Sequence, residues 1–293
     1  MKTETKRKVV AVIGNGYVGK ALVNFFRDHF DVLVYDVAQP EISASKDEIN
    51  KRADLAIISV PTPMGDDGAA DLSAVEATFT WLKTPLVLIK STIPPGTTEA
   101  LSKRFKRKLA FSPEYIGEGK YQVPFWKNHP HPTDMKLHSF VIIGGEREYA
   151  KKILNFFQRV LGAEATYQIT TPTTAELVKY MENSFLATKV TFCNEFYDIA
   201  ENLGVEYNDL RELWLLDGRN SRSHTLVYED SRGFGGKCLP KDVNALVKAS
   251  TKAGYKPKLL DTVLKVNDEI RSRQDKPTLK AGAKIASIKT SAR

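Results

Sequence analysis

The sequence predicts an α/β fold in which a sheet domain is followed by a domain built of helices. Two observations carry this prediction. Up to about Ile169, short apolar runs alternate with segments of helical periodicity, which is the pattern of β-α-β units and a parallel sheet. From Thr173 onward, apolar residues recur at spacings of three and four, which indicates helices alone. We therefore expect a sheet domain at 1–169, a helical domain at 170–275 and a basic tail at 276–293.

Short apolar runs in the first domain are predicted to be strands, because each one ends at a turn signal or a helical segment. The predicted strands are 9–13, 32–35, 55–60, 86–90, 109–111 and 140–143. In the second domain the predicted helices are 173–203, 208–216, 242–253 and 258–273. Thr173 and Glu176 have the spacing of a capping box at the start of the first of these helices.

Composition and charge exclude several classes of protein. The chain has 293 residues, of which 42% are hydrophobic and 27% charged, as in ordinary globular proteins. Its formal net charge of +8 comes from scattered basic residues, so we expect phosphate-bearing ligands and no nucleic acid. No apolar run is long enough to span a membrane and the N-terminus is polar, so neither a membrane segment nor a secretory signal is expected.

Two cysteines and five histidines set limits on the chemistry. Two cysteines make no disulfide framework, and a reducing cytoplasm suits a reactive thiol. The histidines lack ligand spacing, and Cys193 falls within a predicted helix, so no metal site is expected.

A glycine-rich turn lies between the first predicted strand and an amphipathic helix. It reads Gly14-Asn15-Gly16-Tyr17-Val18-Gly19, and the next strand ends at Asp36. The glycines allow a tight turn, the approach of a pyrophosphate and close helix packing, while the helix N-terminus holds the phosphates. A carboxylate about 20 residues past the first glycine binds the ribose hydroxyls and repels a 2′-phosphate. The first domain is therefore predicted to be Rossmann-like and to bind NAD rather than NADP.

A second motif places a thiol beside a flexible turn. It reads Gly233-Phe234-Gly235-Gly236-Lys237-Cys238-Leu239-Pro240-Lys241-Asp242. A nearby lysine favours the thiolate of Cys238, and the carboxylate of Asp242 is placed to act as a base or to hold a water. Taken alone, Cys238 could equally be a small buried hydrophobic residue.

Because it carries both the glycine turn and the thiol loop, the chain resembles the UDP-glucose/GDP-mannose dehydrogenase family from about Lys8 to about Arg273. The intervening landmarks are Val60-Pro61-Thr62-Pro63, Gly68-Ala69-Ala70-Asp71-Leu72-Ser73, Lys90-Ser91-Thr92-Ile93-Pro94-Pro95-Gly96-Thr97-Thr98, Ser112-Pro113-Glu114 and Glu176-Leu177-Val178-Lys179-Tyr180-Met181-Glu182-Asn183. The thiol loop is most similar to that of the branch acting on UDP-glucose. The resemblance implies that the primary alcohol of a nucleotide sugar is oxidised to a carboxylate in two NAD-dependent steps.

The resemblance also implies catalytic roles. Cys238 matches the nucleophile that captures an aldehyde and carries the thioester. Lys179 matches the lysine that stabilises the oxyanion, with Asn183 as its companion donor; a spacing of four places both on one helix face. Asp242 and Thr92 match the pair that positions a catalytic water.

Further residues are implied to hold the cofactor and the substrate. Pro61, Thr62 and Thr92 join the glycine turn in the cofactor site. Glu118 matches a carboxylate of thioester hydrolysis. Glu114, Lys179, Asn183 and Gly235 are implied to contact the sugar nucleotide. Arg222 matches an arginine that reaches the site of a neighbouring subunit, and Arg219 competes for that role.

The resemblance implies a homodimer built on the helical domain. The predicted helix 258–273 carries the apolar residues Leu259, Leu260, Val263, Leu264, Val266 and Ile270, and such a face needs cover. Members of the family continue into a second nucleotide-binding domain, which we expect to be absent here.

Two rival functions follow. One is an NAD-binding dimer with weak or no catalysis, or one dependent on a partner chain. The other is an NAD enzyme of the 6-phosphogluconate or 3-hydroxyacid type, which the loop around Cys238 argues against because those reactions need no thiol.

Overall fold

The computed structural model describes residues 7–116 and 134–274. Its described strands form one sheet in the order β2-β1-β3-β4-β5-β6-β7. The strands are β1 (Val9–Ile13), β2 (Asp31–Tyr35), β3 (Leu55–Ile58), β4 (Leu86–Ile89), β5 (Ala110–Phe111), β6 (Phe140–Gly144) and β7 (Thr166–Thr170). β2 lies on one side of β1, and the next strand in the chain, β3, lies on the other side. The strand order therefore reverses at β1. In open α/β sheets, ligands bind beyond the carboxyl ends of the strands at such a switch point.

Helices follow most of the strands, as the alternating pattern predicted. They are α1 (Tyr17–Phe26), α2 (Lys46–Arg52), α3 (Ser73–Phe79), α4 (Thr97–Phe105), α5 (Arg147–Leu161), α6 (Pro172–Leu203), α7 (Tyr207–Trp214), α8 (Leu239–Lys252) and α9 (Lys258–Gln274). No helix in the described ranges has both the length and the hydropathy that a bilayer crossing requires. Those ranges also contain no group of three or more His, Cys, Asp or Glu side chains arranged to hold a metal ion.

Alternate residues of β1 pack on opposite faces of the sheet. Val10 and Val12 contact the aromatic side chains of α1 and α5, including Phe26 and Phe157. Val9, Ala11 and Ile13 belong to the opposite core, which α2, α3 and α4 cover. Because both faces are covered, β1 and β3 are buried at every position and read as continuous apolar runs. The Rossmann-like architecture of the N-terminal part is therefore confirmed.

The sheet departs from the all-parallel prediction at its far side. Strands β1 to β5 are parallel, but β5 pairs with β6 in the antiparallel sense through Phe111 and Gly144. Strand β7, which the sequence did not predict, pairs in parallel with β6. Its apolar residues Tyr167 and Ile169 alternate with threonine and glutamine. This half-buried pattern gives no continuous apolar run to read from the sequence.

The predicted capping box at Thr173 and Glu176 is wrong. Helix α6 begins earlier, where the Thr171 hydroxyl oxygen accepts a hydrogen bond from the Thr174 N–H at 3.1 Å. The Glu176 carboxylate is fully buried and instead accepts from the N–H groups of Gly96 and Thr98, at 2.5 and 2.7 Å. Glu176 therefore caps the neighbouring helix α4, a tertiary contact that local spacing cannot reveal.

The described residues form two compact units. One comprises the chain up to Ala187 together with Gly235–Leu260, and the other comprises Thr188–Phe234 with the residues from Asp261 onward. This division does not follow the expected boundary at 169/170. Within the first unit, Lys248 of α8 pairs with Asp67 in the loop after β3 at 3.3 Å, so α8 packs with the sheet part of the chain. The predicted tail at 276–293 lies outside the described residues.

Candidate active site

The glycine turn has the geometry of a phosphate cradle. Gly14 has φ +93°, and a Cβ placed on it would lie 2.6 Å from the carbonyl oxygen of Ser59. A Cβ on Gly19 would lie 2.0 Å from the carbonyl oxygen of Gly14, so the start of α1 packs directly on the turn. A Cβ on Gly16 would meet nothing within 4 Å. The space beside Gly16 is where a pyrophosphate approaches in dinucleotide-binding folds.

The first turn of α1 and the end of β2 complete this cradle. Tyr17 and Val18 open α1, and their backbone N–H groups belong to the helix N-terminus that attracts phosphate. The Asp36 carboxylate accepts hydrogen bonds from Asn15 N–H at 2.6 Å and from Ala38 N–H at 2.8 Å. Asp36 therefore lies beside the glycine turn, as its position in the sequence predicted. These residues fit a dinucleotide with a free ribose 2′-hydroxyl.

The loops that follow β3 and β4 are joined to each other. The Thr62 hydroxyl donates to the Thr92 carbonyl oxygen at 2.8 Å, and the Ser91 hydroxyl donates to the Val60 carbonyl oxygen at 2.7 Å. Pro61 lies between these contacts. The predicted cofactor residues Pro61, Thr62 and Thr92 are thus brought together past the carboxyl ends of two neighbouring strands.

Helix α6 carries two of the candidate catalytic side chains on one buried face. Lys179 and Asn183 are only 7% and 5% exposed. The Lys179 ammonium lies 3.7 Å from the Glu114 carboxylate and 5.6 Å from the centre of the Tyr115 ring. Burial, together with the nearby Glu182 and Glu114 carboxylates, raises the pKa of the Tyr115 phenol. Tyr115 is therefore a neutral wall beside Lys179.

Asn183 connects this face to the thiol loop. Its amide donates to the buried Asp242 carboxylate at 2.5 Å, and Lys241 pairs with the second Asp242 oxygen at the same distance. Asp242 lies in the first turn of α8, and Cys238 is the N-cap residue of that helix. A helix N-terminus stabilises negative charge, which favours a thiolate there. The helix begins three residues before the predicted position because Pro240 is tolerated in a first turn.

The two cysteines have different environments. Cys238 is half-buried, whereas Cys193 is 1% exposed within α6. Burial raises the pKa of the Cys193 thiol, although a hydrogen bond to Tyr207 opposes this effect. Cys193 is thus a packed side chain of the second unit.

The remaining predicted site residues take no part in the contacts of Lys179, Asn183 and Asp242 described above. Glu118 lies outside the described residues. Arg222 belongs to the second unit and pairs there with Glu212, while its competitor Arg219 pairs with Asp217. Gly235 is half-buried in the thiol loop.

No role was predicted for Lys90 or Gln39. Gln39 accepts a hydrogen bond from the Asn15 side chain at 2.8 Å beside the glycine turn. Lys90 is buried at the end of β4, and a lysine closing an otherwise apolar strand is the signal that could have found it.

Comparison with known proteins identifies the family. Residues 42–157 match the NAD binding domain of the UDP-glucose/GDP-mannose dehydrogenase family, and residues 173–269 match its central domain. The chain belongs to the UDP-glucose/GDP-mannose dehydrogenase family. The cofactor of this family's N-terminal domain, and of this chain, is NAD. Because the first match begins at residue 42, the assignment of the glycine turn rests on its geometry.

Individual relatives agree with the family assignment. The chain is 32% identical over 245 residues to a UDP-glucose 6-dehydrogenase of Pseudomonas aeruginosa, an alignment that covers 78% of this chain and 51% of that protein. It is similar, with a TM-score of 0.75 and 29% identity, to a UDP-glucose dehydrogenase structure from Pyrobaculum islandicum, covering 92% of this chain and 70% of that one. The chain spans about half the length of the curated relatives it matches first.

The fold also occurs beyond this dehydrogenase family. A 3-hydroxyisobutyrate dehydrogenase of Mycobacterium tuberculosis matches with a TM-score of 0.66 and 14% identity, covering 92% of this chain and 95% of that one. At that identity the likeness concerns the fold alone, so the substrate must be argued from the side chains of the site.

Proposed function

We propose that this chain oxidises the primary alcohol of a nucleotide sugar, UDP-glucose in the first instance, to a carboxylate in two steps. The observation that carries the proposal is the contact series within the first unit: Lys179 beside Glu114, Asn183 bonded to Asp242, and Cys238 at the start of the same helix as Asp242. A 3-hydroxyacid dehydrogenase reaction has no use for this thiol. UDP-glucose is proposed as the substrate because this chain is similar to UDP-glucose dehydrogenases.

NAD, when bound in the glycine cradle, accepts the hydride in each of the two oxidations. In the first oxidation, the alcohol carbon loses a hydride and its hydroxyl loses a proton, which leaves an aldehyde. The Cys238 sulfur then adds to the aldehyde carbon, and the former carbonyl oxygen gains a proton to give a thiohemiacetal. Loss of a second hydride and of that proton leaves a thioester on Cys238. Covalent capture divides a difficult oxidation into easier steps and retains the aldehyde.

The proposed role of Lys179 and Asn183 is to stabilise the reacting oxygen of the sugar. Negative charge develops on the sugar oxygen during thiol addition and again during hydrolysis, and the Lys179 ammonium and the Asn183 amide are placed on one helix face to receive it. Glu114 holds Lys179 within 3.7 Å and so limits where the ammonium can point.

Hydrolysis returns the thiol. Water adds to the thioester carbon, the C–S bond breaks, and the sulfur regains a proton as the carboxylate leaves. Asp242 is the proposed base, with Thr92 holding the water and Glu118 assisting. We further propose that Gly235 contacts the sugar, and that the chain acts as a homodimer in which Arg222, rather than Arg219, reaches the partner's site.

One observation favours a second candidate. The chain spans about half the length of its curated relatives, so catalysis of the complete oxidation by this chain is inferred from longer proteins. The alternative is an NAD-binding dimer that is inactive or depends on a partner chain.

The test measures NADH formation with UDP-glucose, UDP-galactose and GDP-mannose. We expect UDP-glucose to be the best substrate and to yield two NADH per sugar. Cys238→Ser should slow complete oxidation at least 100-fold, because a hydroxyl is a much weaker nucleophile than a thiolate and would give an oxygen ester in place of the thioester. The matched variant Cys193→Ser should stay within threefold of the parent. A fully active Cys238→Ser protein would refute the nucleophile assignment, and NAD binding without turnover would favour the alternative.

A further inference from the structure

Lys90 is a buried cation at the carboxyl end of β4. Its side chain is among the buried charged groups, with 6% of the residue exposed. The ammonium donates to the Pro113 carbonyl oxygen at 2.7 Å and to the Ser112 hydroxyl at 3.2 Å. Burying an ammonium is costly unless its donors are satisfied, and these two hydrogen bonds offset part of that cost.

Both partners of Lys90 are uncharged and precede Glu114 directly. Proline has no N–H, so the Pro113 peptide nitrogen can make no hydrogen bond that would hold this segment to β4. The Pro113 carbonyl is instead held by Lys90, and the backbone then leads straight to Glu114. Beyond it, the Ile116 N–H donates to the Glu114 carboxylate. The Ser112 N–H also donates to the Ile89 carbonyl oxygen at 3.0 Å, so Lys90 and this backbone bond together hold the segment from which the Glu114 side chain extends.

Glu114 interacts electrostatically with two buried lysines, Lys179 and Lys90. Lys179 approaches the Glu114 carboxylate at 3.7 Å. Burial lowers the pKa of Lys90 to about 8, while the Glu114 carboxylate opposes this shift and the Lys179 ammonium adds to it. Lys90 and Lys179 thus act on the same carboxylate from separate places in the fold, the residue that follows β4 and helix α6.

We propose that Lys90 is a positioning residue for the proposed oxidation, and that it acts through Glu114. Lys90 holds Ser112 and Pro113 so that the Glu114 carboxylate faces Lys179, and Glu114 in turn aims the Lys179 ammonium at the reacting oxygen. Lys90 itself touches neither the sugar nor the cofactor. This inference rests on the proposed function of Lys179.

The test is a double-mutant cycle in the full chain. Lys90→Met removes the ammonium at similar length, and Glu114→Gln removes the carboxylate. If Lys90 acts through Glu114, Lys90→Met should lower kcat at least tenfold in the parent but less than threefold in the Glu114→Gln background. KM for NAD should change less than twofold, because the glycine cradle is untouched. A merely structural lysine would give equal losses in both backgrounds.

Arg107→Met is the matched control. Arg107 is half-buried and donates to the carbonyl oxygens of Leu82 and Thr84, just before the other end of β4. Its loss should lower Tm and leave kcat per folded molecule within twofold. A tenfold kcat loss in Arg107→Met would show that any loosening of β4 impairs turnover, which would overturn the specific role of Lys90.

A second readout separates this inference from the proposed function. If the parent shows no turnover, the proposed function fails, but the same four proteins still report on the contact. The Tm loss of Lys90→Met and Glu114→Gln together should be smaller than the sum of the single losses, because each single change removes the same attraction between the two charges. Additive Tm losses, or equal kcat losses in the two backgrounds, would overturn the proposal.

Discussion

Asp36 illustrates how one carboxylate can distinguish two cofactors. Its oxygens accept from the N–H groups of Asn15 and Ala38, which fixes the charge beside the glycine turn. A ribose hydroxyl can donate to such a carboxylate, whereas a 2′-phosphate brings a second negative charge to the same place. Juxtaposed like charges at an interface cost several kcal/mol.

Replacing Asp36 should therefore weaken NAD binding and reduce discrimination against NADP. A hydrogen bond to a charged group contributes about 1.5–3 kcal/mol. We expect Asp36→Ala to raise the Kd for NAD about 10- to 100-fold by calorimetry, with a smaller change for NADP. Asp31→Ala, at the exposed start of β2, is the control and should bind NAD like the parent. Equal affinities of the parent for NAD and NADP would contradict this reading of Asp36.

At the scale of elements, Glu176 links two helices. It lies in the first turns of α6, yet its carboxylate accepts from Gly96 N–H, Thr98 N–H and the Thr98 hydroxyl at the start of α4. Gly96 has φ +88° and follows the loop that contains Thr92. Glu176 thus fixes the backbone of a loop that leads out of the cofactor region.

Glu176→Gln should lower the free energy of unfolding at neutral pH. The amide nitrogen cannot accept a hydrogen bond, so one N–H of the α4 terminus is left buried without a partner. Such a loss costs about 1–3 kcal/mol. Chemical denaturation measures the change in the free energy of unfolding. The control is Glu99→Gln at an exposed position of α4, which we expect to stay within about 0.5 kcal/mol of the parent.

The pH dependence of this difference has a defined sign. Burial, the largest cause, raises the pKa of Glu176 above its ordinary value. A raised folded-state pKa means that the contribution to stability is full below the unfolded-state pKa and is lost as pH rises through the folded-state value. The stability gap between the parent and Glu176→Gln should therefore be widest in mildly acidic buffer. A gap that widens with rising pH would contradict this account.

Local patterns predicted the parts of the site that depend on neighbours in sequence. The glycine turn, the strand leading to Asp36 and the helix spacing of Lys179 and Asn183 are of this kind, because backbone periodicity decides them. The antiparallel junction at β5, the half-buried strand β7 and the capping of α4 by Glu176 depend on contacts between distant segments. No window of the sequence contains those partners together, so they needed the structure.

At the scale of the whole molecule, α6 carries a long row of exposed apolar residues within the part of the chain that the structure describes. Val263 and Ile270 of α9 are buried, but Leu259 is exposed and Leu260, Leu264 and Val266 are half-buried, so the described residues cover the α9 face only in part. Exposed apolar residues recur along one face of α6 at spacings near four and seven. They are Leu177, Met181, Phe185, Phe192, Phe196, Ile199 and Leu203. A stripe of this kind on a 32-residue helix suits packing against another helix, and we propose a second copy of the chain as its occupant.

Light scattering tests this dimer. We expect the parent to have the mass of two chains and Met181→Arg to have the mass of one at the same concentration. Met181 is 72% exposed, so arginine is tolerated in the monomer, but an unpaired charge in the interface should weaken association at least 100-fold. Leu216→Arg is the control, because Leu216 is 80% exposed and lies outside α6. A monomeric parent, or a Met181→Arg protein that stays dimeric, would argue against this interface.

The contrast between the two cysteines has a practical consequence. The chain holds only Cys193 and Cys238, and the former is packed inside while the latter sits at the accessible start of α8. A thiol-directed dye added to the native protein should therefore attach at one position without any engineering. That position lies four residues from Asp242, so the fluorescence of such a dye would report occupancy of the site from within it, even in a variant that turns over nothing.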